Sequence, residues 1–210
     1  TNNLKIKKDL NLLLRQNLKL LESLKATYKY NYSKKLILKL KKFLNIKIIG
    51  MGGSILGAEA IHDFLKDKIN KKLTFINNLD VNTDYYRDKK KSLNIIISKS
   101  GNTLETISNA NVLIKKKDKN IFITENKNNY LKNLANQLKS EIIEHKNFIG
   151  GRYSVLSEVG MLPAELMGFN EKKFKQLNYL IKNKNFINSL SSNVSDTLNL
   201  LKKGKFTSII

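Results

Sequence analysis

The chain has 210 residues, 41% of them hydrophobic, and a formal net charge of +22. It has no cysteine and only two histidines, which excludes a disulfide framework and a thiolate zinc site and leaves too few imidazoles for a metal centre. Its longest apolar runs fall far short of the ~20 residues that span a bilayer, and the opening TNNLKIKKDL has no apolar stretch of the secretion-signal kind; a soluble cytoplasmic protein with no membrane contact is expected.

The charge first suggests a nucleic-acid partner, but its make-up argues otherwise. Of the 39 basic residues three are arginines, Arg15, Arg87 and Arg152, and the other 36 are lysines. Readers of base edges and phosphates lean on the arginine fork. The lysines are spread in short groups at expected helix ends and loops, the pattern of a solvated coat, so no specific nucleic acid is expected.

In chain order, apolar residues recur at spacings of three and four from Leu4 to Lys25 and again from Ser33 to Leu44, which predicts two amphipathic helices. Five short runs rich in β-branched residues follow, IKIIG (46–50), LTFIN (73–77), LNIIIS (93–98), NIFIT (120–124) and EIIEH (141–145), with helix-length segments at 55–68, 104–117 and 128–139. Nearly continuous apolar strands alternating with helices predict an α/β fold, a three-layer αβα sandwich around a five-stranded parallel sheet with the N-terminal helices packed alongside. The polar LDVNTDYYRDKKKS (79–92) leaves room for a short helix only. Helical patterns return at 155–168, 171–183 and 186–203; Gly168 is a stop signal for the first, and Pro163 is expected to kink or break it. The final KFTSII reads like the opening of another buried strand, and the eight tyrosines and nine phenylalanines suggest no stacking array. This divides the chain into a helical extension (1–44), the sheet domain (45–170) and a helical connection (171–210).

In open parallel sheets ligands bind beyond the carboxyl ends of the strands, so the loops there carry the functional reading. After strand one, GMGGSILG places Gly50, Gly52 and Gly53 where the backbone can approach a ligand closely and adopt conformations closed to other residues, with Ser54 before a helix N-terminus; tight strand-to-helix packing alone is the competing reading. A dinucleotide fingerprint would need glycine where Ile55 stands and an acid near Asn77 and Asn78, and no Gly-Lys-Ser/Thr follows for a nucleotide P-loop; no cofactor is expected. After strand three, SKSGNTLET clusters Ser98, Lys99, Ser100, Asn102 and Thr103 around Gly101 at a helix start, a set of donors suited to a phosphate. The competing reading is an ordinary cap, Asn102 or Thr103 accepting from the backbone near Glu105 or Thr106. After strand five, NFIGGRYS uses Gly150 and Gly151 to clear space beside Arg152, whose planar fork is unusual in so lysine-rich a chain; a surface arginine is the alternative.

With these three motifs in order, the sequence resembles the glucose-6-phosphate isomerase (phosphoglucose isomerase) family over about residues 45 to 170. GMGGSILG matches its glycine-glycine-serine turn, SKSGNTLET its phosphate loop and GGRYSVLSEVGMLP its Gly-Gly-Arg segment; the first two occur widely among sugar isomerase (SIS) domains, the third is more particular. The resemblance implies that Gly53, Ser54 and Gly151 lie beside the sugar, that Ser98, Lys99, Ser100 and Thr103, with Asn102 beside them, hold the 6-phosphate, and that Arg152 stabilises an enediolate. Ser100 and Asn102 stand where many relatives have threonine, and Gly101 replaces a bulkier residue. It further implies interconversion of glucose 6-phosphate and fructose 6-phosphate, a homodimer for the full-length enzyme, and a second SIS domain after this one.

The family's catalytic glutamate, ring-opening histidine and second-domain lysine lie well downstream of the Gly-Gly-Arg segment, and only 58 residues follow Arg152 here, without a matching motif. No base is assigned: Glu105, Glu158, Glu165, His62 and His145 read as structural. The chain is therefore expected to be an N-terminal half. The rival readings are a stand-alone SIS module that senses a phosphosugar or isomerises a different one, a dual glucose/mannose enzyme, and a basic nucleic-acid or membrane-surface protein.

Overall fold

The computed structural model describes residues 2–16, 18–79, 91–115 and 117–205. Most of the polar 79–92 segment, and the strand read at the end of the chain, lie outside them.

The five apolar runs form strands β1 (Asn45–Gly50), β2 (Lys72–Ile76), β3 (Leu93–Ile97), β4 (Lys119–Thr124) and β5 (Glu141–Glu144). They pair in the order β2-β1-β3-β4-β5, every pairing parallel, with Ile48 opposite Ile95 and Ile95 opposite Ile121. Because alternate strand side chains point to opposite faces, each run feeds two cores. Ile46, Ile48, Ile95, Ile97, Ile121 and Ile143 face one side, against α2 (Lys34–Leu40), α3 (Leu56–Leu65) and α6 (Glu158–Leu166). Ile49, Ile76, Ile96 and Phe122 face the other, against α4 (Leu104–Leu113) and α5 (Tyr130–Gln137). Each fully buried isoleucine contributes about 1.5–3 kcal/mol, so β-branched runs without alternation are stable here because both faces are covered.

Three differences from the sequence reading have physical reasons. The leucine pattern from Leu4 to Lys25 is not one helix: α1 (Asn2–Arg15) ends as the Gln16 N–H bonds back to the Leu13 carbonyl, and Lys19–Leu24 forms a separate 3-10 turn. The leucines on the two sides of this break belong to different packing units. The 171–183 stretch is also interrupted, as α7 (Glu171–Phe174), a 3-10 turn at Lys175–Leu177 and α8 (Asn178–Lys182). Pro163, by contrast, does not stop α6. Val159 through Ala164 are all buried, so packing outweighs the hydrogen bond that proline cannot donate. The helix instead closes at Gly168, which adopts the left-handed conformation at φ +104° and donates to the Glu165 carbonyl at 3.1 Å.

Tyr28, Tyr30 and Tyr32 form an aromatic row, contrary to expectation: Tyr30 and Tyr32 stack and Tyr28 meets Tyr30 edge-on, with both ring pairs 5.1 Å apart. The Tyr28 hydroxyl donates to Glu158 at 2.7 Å, the Asn31 N–H donates to the same carboxylate at 3.0 Å, and the Tyr32 hydroxyl donates to Glu165 at 2.8 Å. Burial, with these carboxylates, pushes the hydroxyls of Tyr28 and Tyr32 well above the ordinary tyrosine range. The ladder joins the 28–32 segment to α6.

The sheet and its helices form one compact unit, Lys19–Lys173. The other comprises the two ends of the chain, in which α1 packs on the long α9 (Lys184–Lys202) and residues such as Leu10, Leu13, Val194 and Leu198 line an apolar cavity of about 440 Å³.

Candidate functional site

The strand order reverses between β1 and β3, and the loops that follow these strands leave the sheet at the same level, since Gly50 pairs with Ile97. In this topology the crevice there is where ligands bind.

The β1 loop is shaped by contact with the β5 segment. Gly52 takes φ +56°, and a Cβ on Gly53 would lie 2.3 Å from the Gly151 carbonyl oxygen. Ser154 clamps both glycines, its hydroxyl donating to the Gly53 carbonyl at 3.0 Å and the Gly151 carbonyl at 2.7 Å. Tight packing and a ligand-facing turn are therefore not alternatives at this loop: backbone-to-backbone approach is what brings Ser54 and Arg152 to one edge. Arg152 sits in the 3-10 turn Gly151–Tyr153, exposed, and makes no hydrogen bond or ion pair among the described residues.

In the β3 loop the hydroxyls of Ser98 and Thr103 lie 2.9 Å apart, Gly101 N–H donates to Ser98 Oγ at 3.2 Å, and Asn102 N–H donates to Ser100 Oγ at 3.2 Å. Gly101 is required twice over: its φ is +69°, and a Cβ would meet Asn129 Oδ1 at 2.0 Å. The capping bond of the competing reading is absent: Thr103 occupies the N-cap of α4 without a side-chain bond to its backbone. Asn102 instead accepts from the Tyr130 N–H at 3.0 Å and so holds the start of α5.

The capping pattern separates two groups of helices. Ser33, Asn129, Ser157 and Asn183 cap α2, α5, α6 and α9 with side-chain bonds, whereas α3 and α4, the helices entered from the β1 and β3 loops, have none. Their first-turn amides keep the donors and the positive dipole end that an anion recognises.

Lys99 is turned toward the neighbouring strands. Its Nζ donates to the Asn147 carbonyl and lies 3.7 Å from Glu125 Oε1, while Lys127 takes the other carboxylate oxygen of Glu125. Burial works against charge on Glu125, but the hydrogen bond and charge of Lys127, with Lys99, outweigh it and hold the carboxyl below its usual range. Burial pushes the neighbouring His145 imidazole down, against its bond to the Lys146 carbonyl, and Lys99 adds to the depression. Glu125, Lys127 and His145 line a recess of about 170 Å³. Reading the β1, β3 and β5 loops alone overlooked this β4 contribution, although the same rule about strand ends covers ENKNN (125–129).

The acids and histidines read as structural are placed as follows. Glu158 is buried and engaged by Tyr28 and Asn31, Glu165 by Tyr32, and His145 is buried. His62 pairs with Asp63 at 3.0 Å and packs edge-on to Phe75. Glu105 lies in the first turn of α4. Among the described residues no group of acids, histidines and cysteines is arranged to hold a metal, and no helix is long and apolar enough to cross a membrane.

Comparison with known proteins gives the family. The phosphoglucose isomerase family model matches residues 16–202. The glucose-6-phosphate isomerase of Methanocaldococcus jannaschii is 37% identical over 145 residues, covering 64% of this chain and 35% of that protein. The glucose-6-phosphate isomerase of Borreliella afzelii is 36% identical over 184 residues, covering 77% and 33%. A hypothetical protein from Thermus thermophilus shares the fold at a TM-score of 0.63, with 19% identity over 82% of this chain and 45% of that one. The chain spans about a third of the length of the curated relatives it matches. With the matched region running through all three loops and the whole sheet, the chain belongs to the phosphoglucose isomerase family.

Proposed function

We propose that this chain forms the N-terminal, phosphate-gripping part of a cytoplasmic, homodimeric enzyme that interconverts glucose 6-phosphate and fructose 6-phosphate. The observation that carries the reading is the uncapped start of α4 beside the Ser98, Ser100 and Thr103 hydroxyls, with Arg152 on the same edge of the sheet. Residues 45–170 are the sugar-phosphate-binding SIS domain and 171–210 lead toward a second one, a layout supported by relatives about three times as long. The homodimer and the cytoplasm follow from the family resemblance.

In this reading the open-chain sugar lies with its phosphate on the first-turn amides of α4 and its C1–C2 end toward Gly53, Ser54 and Gly151. Asn102 supports the loop from behind. A carboxylate outside this chain takes the C2 proton and returns it to C1 through a cis-enediol, while the hydroxyl proton passes in the same sense from O2 to O1, leaving the carbonyl at C2. The negative charge that builds on oxygen is met by Arg152, and losing one such donor costs about 3–4 kcal/mol of barrier. The phosphate contacts keep C1 and C2 in register with that donor.

A thermal-shift titration with fructose 6-phosphate tests the pocket. The 210-residue chain is expected to be stabilised by millimolar ligand and Arg152→Ala less so, with no turnover in a coupled assay. Absence of any stabilisation removes the phosphate-site reading, and robust turnover by this chain alone removes the half-site reading.

A further inference from the structure

Lys99 raises a question the phosphate reading leaves open, because the side chain expected on the ligand is already engaged. Its ammonium donates to the Asn147 carbonyl and faces Glu125 Oε1 at 3.7 Å. The Glu125 side chain is 11% exposed and that of Lys127 60% exposed. A buried carboxylate that lost its only cation would carry a heavy penalty. Glu125 has two, one on each oxygen, so Lys99 can leave while Lys127 keeps the carboxylate compensated.

We propose, resting on the phosphate-site reading, that Glu125 is a positioning residue that competes with the bound phosphoryl group for Lys99. Without ligand, Lys99 stays on Glu125 and Asn147 and ties the β5 segment, which carries Arg152, to the phosphate loop. An arriving dianion offers stronger charge-assisted bonds and draws the ammonium across, and the Asn147 bond is released with it. Glu144, His145 and Lys146 are the other ionisable groups lining this recess. Lys127 serves as the standing counter-ion, which accounts for an exposed lysine paired to a buried acid.

The test is a titration of the 210-residue chain with inorganic phosphate and separately with fructose 6-phosphate, followed by amide chemical shifts, for wild type, Glu125→Gln, Lys99→Met and the double variant. Glu125→Gln is expected to bind both ligands roughly three- to fivefold more tightly, the range of a partly exposed ion pair removed from competition, while its melting temperature falls. A Glu125 that merely braced the loop would lower stability and affinity together. In Lys99→Met the Glu125→Gln change is expected to restore nothing. Unchanged or weaker binding by Glu125→Gln overturns the proposal, as does equal tightening in Lys99→Met, which would mark direct repulsion of the ligand. If wild type binds neither phosphate nor fructose 6-phosphate, the functional reading falls and this inference with it; binding by wild type with the wrong response in the variants removes this inference alone.

Discussion

The two edges of the sheet treat anions differently. At the amino edge, Lys39, Lys42, Lys91, Lys117 and Lys119 surround an open cavity of about 390 Å³ together with Asp118. At the carboxyl edge the recess is smaller, about 170 Å³, but hydroxyls, glycine turns and uncapped helix starts are held in place by named bonds. Volume and net charge favour the first edge; preorganisation favours the second. A lysine must be frozen to hold a ligand, at about 1.5–2 kcal/mol of lost side-chain freedom, whereas a first-turn amide is fixed by the fold. The buried polar side chains at the amino end are also already matched: Asn94 donates to Asn120 at 2.8 Å, and Asn120 to the Lys115 carbonyl at 3.4 Å. The amino edge is a solvated coat over a satisfied polar row.

The comparison can be broken most decisively at Arg152. In the full-length enzyme Arg152→Ala is expected to lower kcat about 10²- to 10³-fold with a smaller change in KM. A loss below about threefold in a coupled assay would show that the carboxyl edge does not supply the donor.

Next is the loop junction. Gly53→Val places a branched side chain where even a Cβ meets backbone at 2.3 Å, so urea unfolding is expected to show about 1–3 kcal/mol of destabilisation, with loss of fructose 6-phosphate binding. Full stability with intact binding would mean that the two loops separate freely.

Glu125→Gln sharpens the picture through pH. The folded carboxyl is depressed by Lys127 and Lys99 in spite of burial. Its contribution is therefore present above the unfolded value of 4.5 and is lost as pH falls through the lower folded value. Wild type is expected to exceed the variant by at most about 1 kcal/mol at neutral pH, since Lys127 is largely exposed, and the gap should close on acidification. A gap that widens below pH 4.5 would reverse the assigned sign.

The smallest effect belongs to the amino edge. Lys117→Gln with Lys119→Gln is expected to change stability by less than about 0.5 kcal/mol and to leave sugar-phosphate affinity unaltered by calorimetry. Appreciable weakening would place recognition at the lysine-rich cavity after all.

What the sequence disclosed follows from locality. The strands were legible to within a residue because a run such as Leu93–Ile97, buried on both faces, announces itself without knowledge of its partners. Gly53 and Gly101 were legible as special, but the reasons for them, Gly151 and Asn129, lie on other loops. The destination of Lys99 was hidden for the same reason, since Glu125 and Asn147 come from the turns after β4 and β5. The tyrosine ladder was a different failure. TYKYNYS carries alternating rings in plain view, yet their carboxylate partners are more than a hundred residues away.

That separation has a consequence for biosynthesis. Tyr28 and Glu158 are 130 residues apart, and at ribosomal speeds of about 5–20 residues per second the aromatic trio waits roughly 7 to 25 seconds before its acceptors are made. Until then Leu36, Ile37 and Leu40, buried in the finished protein against α6, have no lid over them. Apolar surface left open in this way favours aggregation, so messages truncated ahead of the Glu158 codon are expected to yield aggregates instead of a smaller folded product.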